Sequence, residues 1–129
     1  MTNLPHAFQG LTLTQIGVLV PDLALGIQTY KEVLGLENWA IYTFSSAVVP
    51  NLTYRGQTAN CTFRIALAGE GPQIELIEPL SGNSVYAEWI EARGYGVHHF
   101  GFLVPSLVEM LGRLEVEGCV RYKPEAATA

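Results

Sequence analysis

One short segment of the sequence occurs twice, and this internal repeat restricts the possible folds more than any other feature. Residues 15–23 read Gln-Ile-Gly-Val-Leu-Val-Pro-Asp-Leu, and residues 99–107 read His-Phe-Gly-Phe-Leu-Val-Pro-Ser-Leu. The copies are 84 residues apart, and five of the nine positions are identical. Self-similarity at a fixed spacing indicates structural units built on the same plan. The sequence therefore predicts two related units in one chain.

Each copy of the repeat has the pattern of a strand that leads directly into a helix. Pro21 and Pro105 hold the residue before them in an extended conformation, so each strand ends there. Asp22 and Ser106 follow, and short polar side chains of this kind cap the first turn of a helix. An apolar stripe at helical spacing begins after each cap and stops before a glycine. We therefore expect a strand and a capped helix in both units.

The residues between the two copies favour strands, with one irregular segment and one short helix. Ser45–Asn60 contains proline, glycine and asparagine and is interpreted as a long loop. Ser84–Arg93 is interpreted as a short helix that ends before Gly94. Three segments are rich in aliphatic and aromatic residues and are predicted strands, namely Trp39–Phe44, Thr62–Ala68 and Gln73–Ile77, the last ended by Pro79.

These elements predict an α+β fold built from paired βαβββ modules around a cupped mixed sheet. Residues 1–10 form an N-terminal extension, 11–80 the first module, and 81–95 a linker helix. Residues 96–129 form a second module that is expected to be incomplete, because it has 34 residues against 70 in the first. It provides a strand, a helix and at most one further strand, at Val120–Lys123.

Composition excludes several classes of protein. Hydrophobic residues make up 49% of the chain and charged residues 15%, which allows a packed core. The formal charge of −5 argues against nucleic acid or an anionic membrane as partner. No apolar run approaches the roughly 20 residues that span a bilayer, and no export signal is recognised, so a cytoplasmic location is expected. Cys61 and Cys119 fit a reducing compartment and have no neighbour that would activate a thiol.

Alternation along the strands places three polar side chains on one face. Gln15 and His99 occupy equivalent positions of the repeat and share the face opposite the following helix, whereas His98 is expected on the helix-packed face. Glu75 lies between two aliphatic residues in a predicted strand, where an acidic side chain is costly to bury unless it has a partner. A divalent metal beside a histidine and a glutamine would provide that partner.

Each of these residues also has a simpler interpretation. Gln15 could be a residue at the rim of the sheet, and His99 a hydrogen-bonded histidine of the core. Glu75 could pair with Arg64 on the neighbouring strand. Glu78 is interpreted as the solvated end of its strand. The coincidence of the first three on one face favours a metal site.

The segments 15–23, 73–80 (Gln-Ile-Glu-Leu-Ile-Glu-Pro-Leu) and 96–104 (Gly-Val-His-His-Phe-Gly-Phe-Leu-Val) together resemble the vicinal oxygen chelate superfamily. Within it, their order is most similar to the glyoxalase I and methylmalonyl-CoA epimerase branch, over residues 11–118. The resemblance implies one divalent ion, held by Gln15, Glu75 and His99, with zinc, nickel, cobalt, manganese and iron all possible. The family's fourth ligand, usually a glutamate, belongs to a last strand that this second module is expected to lack.

The resemblance implies a metal-dependent lyase or isomerase of the glyoxalase or epimerase type. Such an enzyme stabilises the enolate of a small carbonyl or acyl-thioester substrate, and Glu75 is the candidate proton-transferring carboxylate. Two alternatives remain open, a metal-free drug-sequestering protein of the same fold and a truncated, non-catalytic family member. We also expect a homodimer, because an incomplete second module leaves an open sheet edge that a partner can cover.

Overall fold

A computed structural model describes residues 6–119 of the chain as a sheet with three helices. The elements are, in chain order, β1 (Leu13–Leu19), α1 (Leu23–Leu34), β2 (Ala40–Ser45), β3 (Thr53–Tyr54), β4 (Gln57–Thr58), β5 (Thr62–Ala68), β6 (Gln73–Ser81), α2 (Val85–Arg93), β7 (Gly96–Phe102) and α3 (Leu107–Val116). None of these helices is long and apolar enough to cross a membrane.

The main sheet has the strand order β2-β5-β6-β1-β7. β1 runs parallel to β6, and the other neighbouring pairs are antiparallel. The two strands of the sequence repeat, β1 and β7, therefore lie side by side. This mixed sheet with its helices confirms the predicted α+β class. The division into modules at 11–80 and 96–129 stays a prediction, and the proposed strand Val120–Lys123 lies outside the described residues.

Each face of the sheet packs against a different helix. On one face, Leu23 of α1 joins Val18 and Leu76 in a buried cluster. On the opposite face, Leu19 and Ile77 are buried beneath aromatic and aliphatic side chains of α2. Helix α2 therefore covers the face that Gln15, Glu75 and His99 were predicted to share.

The predicted caps form as the sequence indicates. The Asp22 side chain accepts a hydrogen bond from the Leu25 amide (2.9 Å), and α1 ends at Gly35 with φ 67°. Ser106 accepts from the Glu109 amide (3.2 Å) at the start of α3. The apolar stripes are only partly buried, because Leu107 is 66% exposed.

Two segments differ from the sequence prediction. The expected loop Ser45–Asn60 contains the hairpin β3–β4, whose two turn residues Arg55 (φ 51°) and Gly56 (φ 76°) have the positive φ values of a type I′ turn. The strand β6 was expected to end before Pro79 but continues to Ser81. Pro79 lies opposite Phe63, where the β5–β6 register is irregular, and a proline that cannot donate is tolerated at such a place.

Candidate functional site

Three neighbouring strands bring Glu75 and His99 together across Gly17. Gly17 of β1 lies opposite Glu75 of β6 on one side and opposite His99 of β7 on the other. The His99 ring lies over Gly17, because a Cβ atom there would be 2.5 Å from Nε2 and 2.6 Å from Nδ1. The ring therefore reaches across β1, and its Nε2 is 3.2 Å from Oε1 of Glu75.

Gln15 lies on the same face, two residues before Gly17 and opposite Gly101 of β7. A Cβ atom at Gly101 would be 3.0 Å from Cβ and 3.4 Å from Oε1 of Gln15. The glycine of each repeat copy thus makes room for the polar side chain of the other copy. The structure places all three predicted residues on one face; it brings Glu75 and His99 into contact, and the Gln15 amide lies against Gly101.

The environment of Glu75 disfavours its charged form. Only 14% of the Glu75 side chain is exposed, against 31% for His99. Burial raises the pKa of Glu75 above its usual range, and the adjacent His99 lowers it in part. Burial and the negative charge of Glu75 also raise the pKa of Tyr86 on α2. A carboxyl group in this setting can hold or release a proton closer to neutral pH than an exposed glutamate can.

His98 is a site residue that alternation along the strand placed wrongly. Gly17 pairs with His99, whereas the next residue, Val18, pairs with Val97, so the register shifts and His98 is an extra residue. Such a bulge changes the direction of a side chain. His98 lies beside His99 with the two Nδ1 atoms 3.0 Å apart. Burial and the neighbouring His99 lower the pKa of His98. The bulge depends on pairing with β1, so the sequence of β7 alone gave no signal for it.

Glu78 is not the solvated strand end that the sequence indicated. It lies on the face that packs against α1, and its side chain is 16% exposed. Oε2 of Glu78 accepts a hydrogen bond from the Leu23 amide (3.0 Å), and Oε1 is 3.9 Å from Nη1 of Arg64. Arg64 lies opposite Glu78 in the sheet, so the alternative pairing of Arg64 with Glu75 is also wrong.

A cavity of about 460 Å³ adjoins His98. Its apolar wall comes from Val85, Trp89 and Ala92 of α2, and His98 is also part of its lining. At the hairpin side, Arg55 contacts Glu88, which also accepts a hydrogen bond from the Tyr54 hydroxyl (2.9 Å). A largely apolar cavity with a few polar groups is the usual form of a small-molecule site.

A divalent ion on this face would need the amide of Gln15 as a third ligand beside Glu75 and His99. Within residues 6–119, no group of three or more histidine, cysteine, aspartate or glutamate side chains could hold a metal. Carboxylate oxygen, imidazole nitrogen and amide oxygen are all donors to divalent ions. Two ligand atoms at about 2.1 Å from one ion lie roughly 3–3.5 Å apart. The 3.2 Å between Glu75 and His99 is compatible with that separation.

Comparison with known proteins identifies relatives of the same fold. Residues 14–127 match the model of the Glyoxalase/Bleomycin resistance protein/Dioxygenase superfamily. The uncharacterized protein YqjC of Bacillus subtilis (strain 168) is 31% identical over 102 residues, which cover 79% of this chain. The chain spans 64% of the length of that relative.

Solved structures include two relatives at more than 25% identity. Methylmalonyl-CoA epimerase from Mycobacterium tuberculosis is 26% identical, with a TM-score of 0.61 over 92% of this chain and 69% of that one. A hypothetical protein from Bacillus halodurans is 28% identical, with a TM-score of 0.61 over 85% of this chain and 70% of that one. A methylmalonyl-CoA epimerase in complex with methylmalonyl-CoA and NH4+ shares the fold at 21% identity, with a TM-score of 0.62 over 86% of this chain and 72% of that one. The chain therefore belongs to the glyoxalase/bleomycin resistance protein/dioxygenase superfamily, as its sequence motifs indicated.

Proposed function

We propose that this chain is a divalent-metal-dependent enzyme of the glyoxalase or epimerase type, which stabilises an enolate of a small carbonyl or acyl-thioester substrate. Gln15, Glu75 and His99 are the proposed metal ligands. The observation that carries the proposal is the contact of Glu75 with His99 across Gly17, on the face that also holds Gln15. The fourth protein ligand of the family has no candidate among these three strands.

The proposed chemistry is transfer of a proton at the carbon next to a carbonyl. A bound divalent ion supplies Lewis-acid stabilisation of the enolate oxygen. Glu75 is the proposed proton acceptor, because it is the carboxylate that lies on the same face as Gln15 and His99. In the metal-free protein, the 3.2 Å contact between Nε2 of His99 and Oε1 of Glu75 holds the two proposed ligands side by side.

Acyl thioesters are the first substrate class to test. An epimerase that shares this fold has been solved in complex with the acyl thioester methylmalonyl-CoA. The cavity beside His98 offers a mostly apolar surface, and His98 contacts the proposed ligand His99. A carbonyl compound with two adjacent oxygens is the second class.

One observation favours the alternative of a metal-free binding protein. The cavity is formed largely by apolar side chains of α2, and a ligand there would contact His98 and not Glu75. In that case ligand binding would be independent of metal, and no proton would be exchanged. A non-catalytic family member would neither bind metal nor exchange protons.

The proposed homodimer draws support from the edge strand. β7 is the last strand of the sheet in the order seen for residues 6–119, and its Val97 and Phe100 are 54% and 61% exposed. An apolar sheet edge of this kind is a surface for pairing with another chain. Analytical ultracentrifugation at rising concentration tests the association, and a monomer throughout would contradict it. The cytoplasmic location stays a prediction.

Hydrogen–deuterium exchange at the α-carbon of a substrate tests the proposed activity. Protein loaded with Co²⁺ is incubated with methylmalonyl-CoA, or with dihydroxyacetone, in D2O, and deuterium uptake is followed by mass spectrometry. We expect exchange above the protein-free background. Glu75→Gln should reduce it by about 10²-fold or more, as expected for loss of a general base. Glu91→Gln removes an exposed carboxylate of α2 and should leave the rate unchanged.

Two results would contradict the activity. Exchange at the wild-type rate in Glu75→Gln would remove Glu75 from the mechanism. Absence of exchange with both substrates, together with metal-independent binding of a ligand in the cavity, would favour the binding protein instead.

A further inference from the structure

The bulge in β7 places two consecutive histidines on the same side of the sheet. In a regular strand their side chains would point to opposite faces. Here the rings are 5.2 Å apart and perpendicular (90°), with 3.0 Å between the two Nδ1 atoms. A nitrogen–nitrogen distance of 3.0 Å is that of an N–H···N hydrogen bond.

Aromatic side chains of α2 fix the ring of His98. Tyr86 and Trp89 meet it edge to face, with centroid distances of 5.3 Å and 5.1 Å. Both aromatic residues pack on the buried cluster of Leu19 and Ile77. His98 is therefore held by the core, whereas His99 is held by Glu75 on one side and His98 on the other.

The two ring nitrogens of His99 have linked roles. When Glu75 is ionised, it accepts a hydrogen bond from the Nε2–H group of His99. Nδ1 of a neutral His99 is then a hydrogen-bond acceptor, and His98 must donate to it. If Nε2 of His99 held a metal ion, the proton of the neutral ring would reside on Nδ1, and His98 would accept a hydrogen bond from it. A neutral imidazole at position 98 can do both, because either of its nitrogens can carry the proton.

We infer that His98 is a positioning residue, which holds the His99 ring through the Nδ1–Nδ1 hydrogen bond so that Nε2 faces Glu75. The bulge is needed for this arrangement, since only the extra residue brings both rings to one side. The role of His98 as hydrogen-bond acceptor for a metal-bound His99 rests on the proposed function. The hydrogen bond in the metal-free protein does not.

Nuclear magnetic resonance tests the hydrogen bond directly. At pH 8, the ¹⁵N-labelled, metal-free protein should show a nitrogen–nitrogen coupling between Nδ1 of His98 and Nδ1 of His99. A purely structural His98 would show no such coupling. Its absence would overturn the inference, and this measurement needs no variant to fold.

Metal affinity in two variants tests the positioning role. His98→Phe keeps an aromatic ring against Tyr86 and Trp89 but has no nitrogen, whereas His98→Asn keeps a group at the place of Nδ1 that can donate or accept after an amide flip. With Co²⁺ in titration calorimetry, we expect His98→Phe to bind about 10–100-fold more weakly than wild type. His98→Asn should recover most of that loss.

The outcomes separate the two proposals. Equal Co²⁺ affinity of wild type and His98→Phe would overturn the positioning role and leave the metal site intact. A wild-type protein that shows the coupling but binds no Co²⁺ would overturn the metal proposal and support the hydrogen bond from His98.

Discussion

Substitution of Gly17 by alanine tests the geometry on which the site depends. The added Cβ would lie 2.5 Å from Nε2 and 2.6 Å from Nδ1 of His99. The His99 ring must therefore rotate away from β1, and it then loses its contacts with Glu75 and His98. A pair of hydrogen bonds contributes about 0.5–1.5 kcal/mol each, so the loss is about 1–3 kcal/mol. Alanine also stabilises the folded state by about 0.5–1 kcal/mol, because an alanine loses less backbone entropy on folding than a glycine does.

We therefore expect Gly17→Ala to lower the free energy of unfolding by up to about 2.5 kcal/mol, measured by urea denaturation followed by circular dichroism. Gly112→Ala is the matched control. Gly112 lies in α3 with nothing within 4 Å of the added Cβ. Alanine in place of an exposed helical glycine should stabilise the protein by up to about 1 kcal/mol.

A second measurement connects this substitution with the site. The nitrogen–nitrogen coupling of His98 and His99 should disappear in Gly17→Ala and persist in Gly112→Ala. A Gly17→Ala variant as stable as wild type, with the coupling intact, would refute the placement of the His99 ring over Gly17.

Two further predictions concern Glu75 and the core. The raised pKa of Glu75 means that the folded protein retains a proton that the unfolded chain has already released, so stability should fall as pH rises above the ordinary glutamate pKa of about 4.3. Glu75→Gln should remove this part of the slope in urea unfolding of metal-free protein at a series of pH values, and an unchanged slope would contradict the assignment. Leu23→Ala, at 1% exposure, should cost about 2–5 kcal/mol of unfolding free energy. Leu25→Ala on the same helix, at 59% exposure, should cost about 0.5 kcal/mol or less, and equal losses would show that α1 packs through another face.

The features predicted from sequence depend on neighbouring residues along the chain. Asp22 and Gly35 mark the ends of α1 because a cap and a left-handed glycine act on their own helix. Alternation predicted that Gln15 and Glu75 share a face, because the pairing of Gln15–Leu19 in β1 with Gln73–Ile77 in β6 has no register shift. The repeat also predicted His99 as a site residue, because His99 occupies the position equivalent to Gln15.

The features that sequence reasoning missed depend on residues distant in the chain. His98 changes side because of a register shift against β1, which cannot be read from β7 alone. The Glu78 carboxylate accepts a hydrogen bond from the Leu23 amide at the start of α1, 55 residues earlier in the chain. Arg55 adopts a positive φ that a non-glycine residue rarely takes, so the turn of β3–β4 had no strong sequence signal.

The most direct test of the proposed metal site is the metal content of the protein and of one variant. Wild type, His99→Ala and the control His6→Ala are purified without chelator, incubated with Co²⁺, freed of unbound ion and measured by elemental analysis. His6 is an exposed histidine of the N-terminal segment, so its removal controls for general imidazole binding. We predict one ion per chain in wild type and His6→Ala and none in His99→Ala. Equal metal content in all three proteins, or none in wild type, would contradict a metal site built on Gln15, Glu75 and His99.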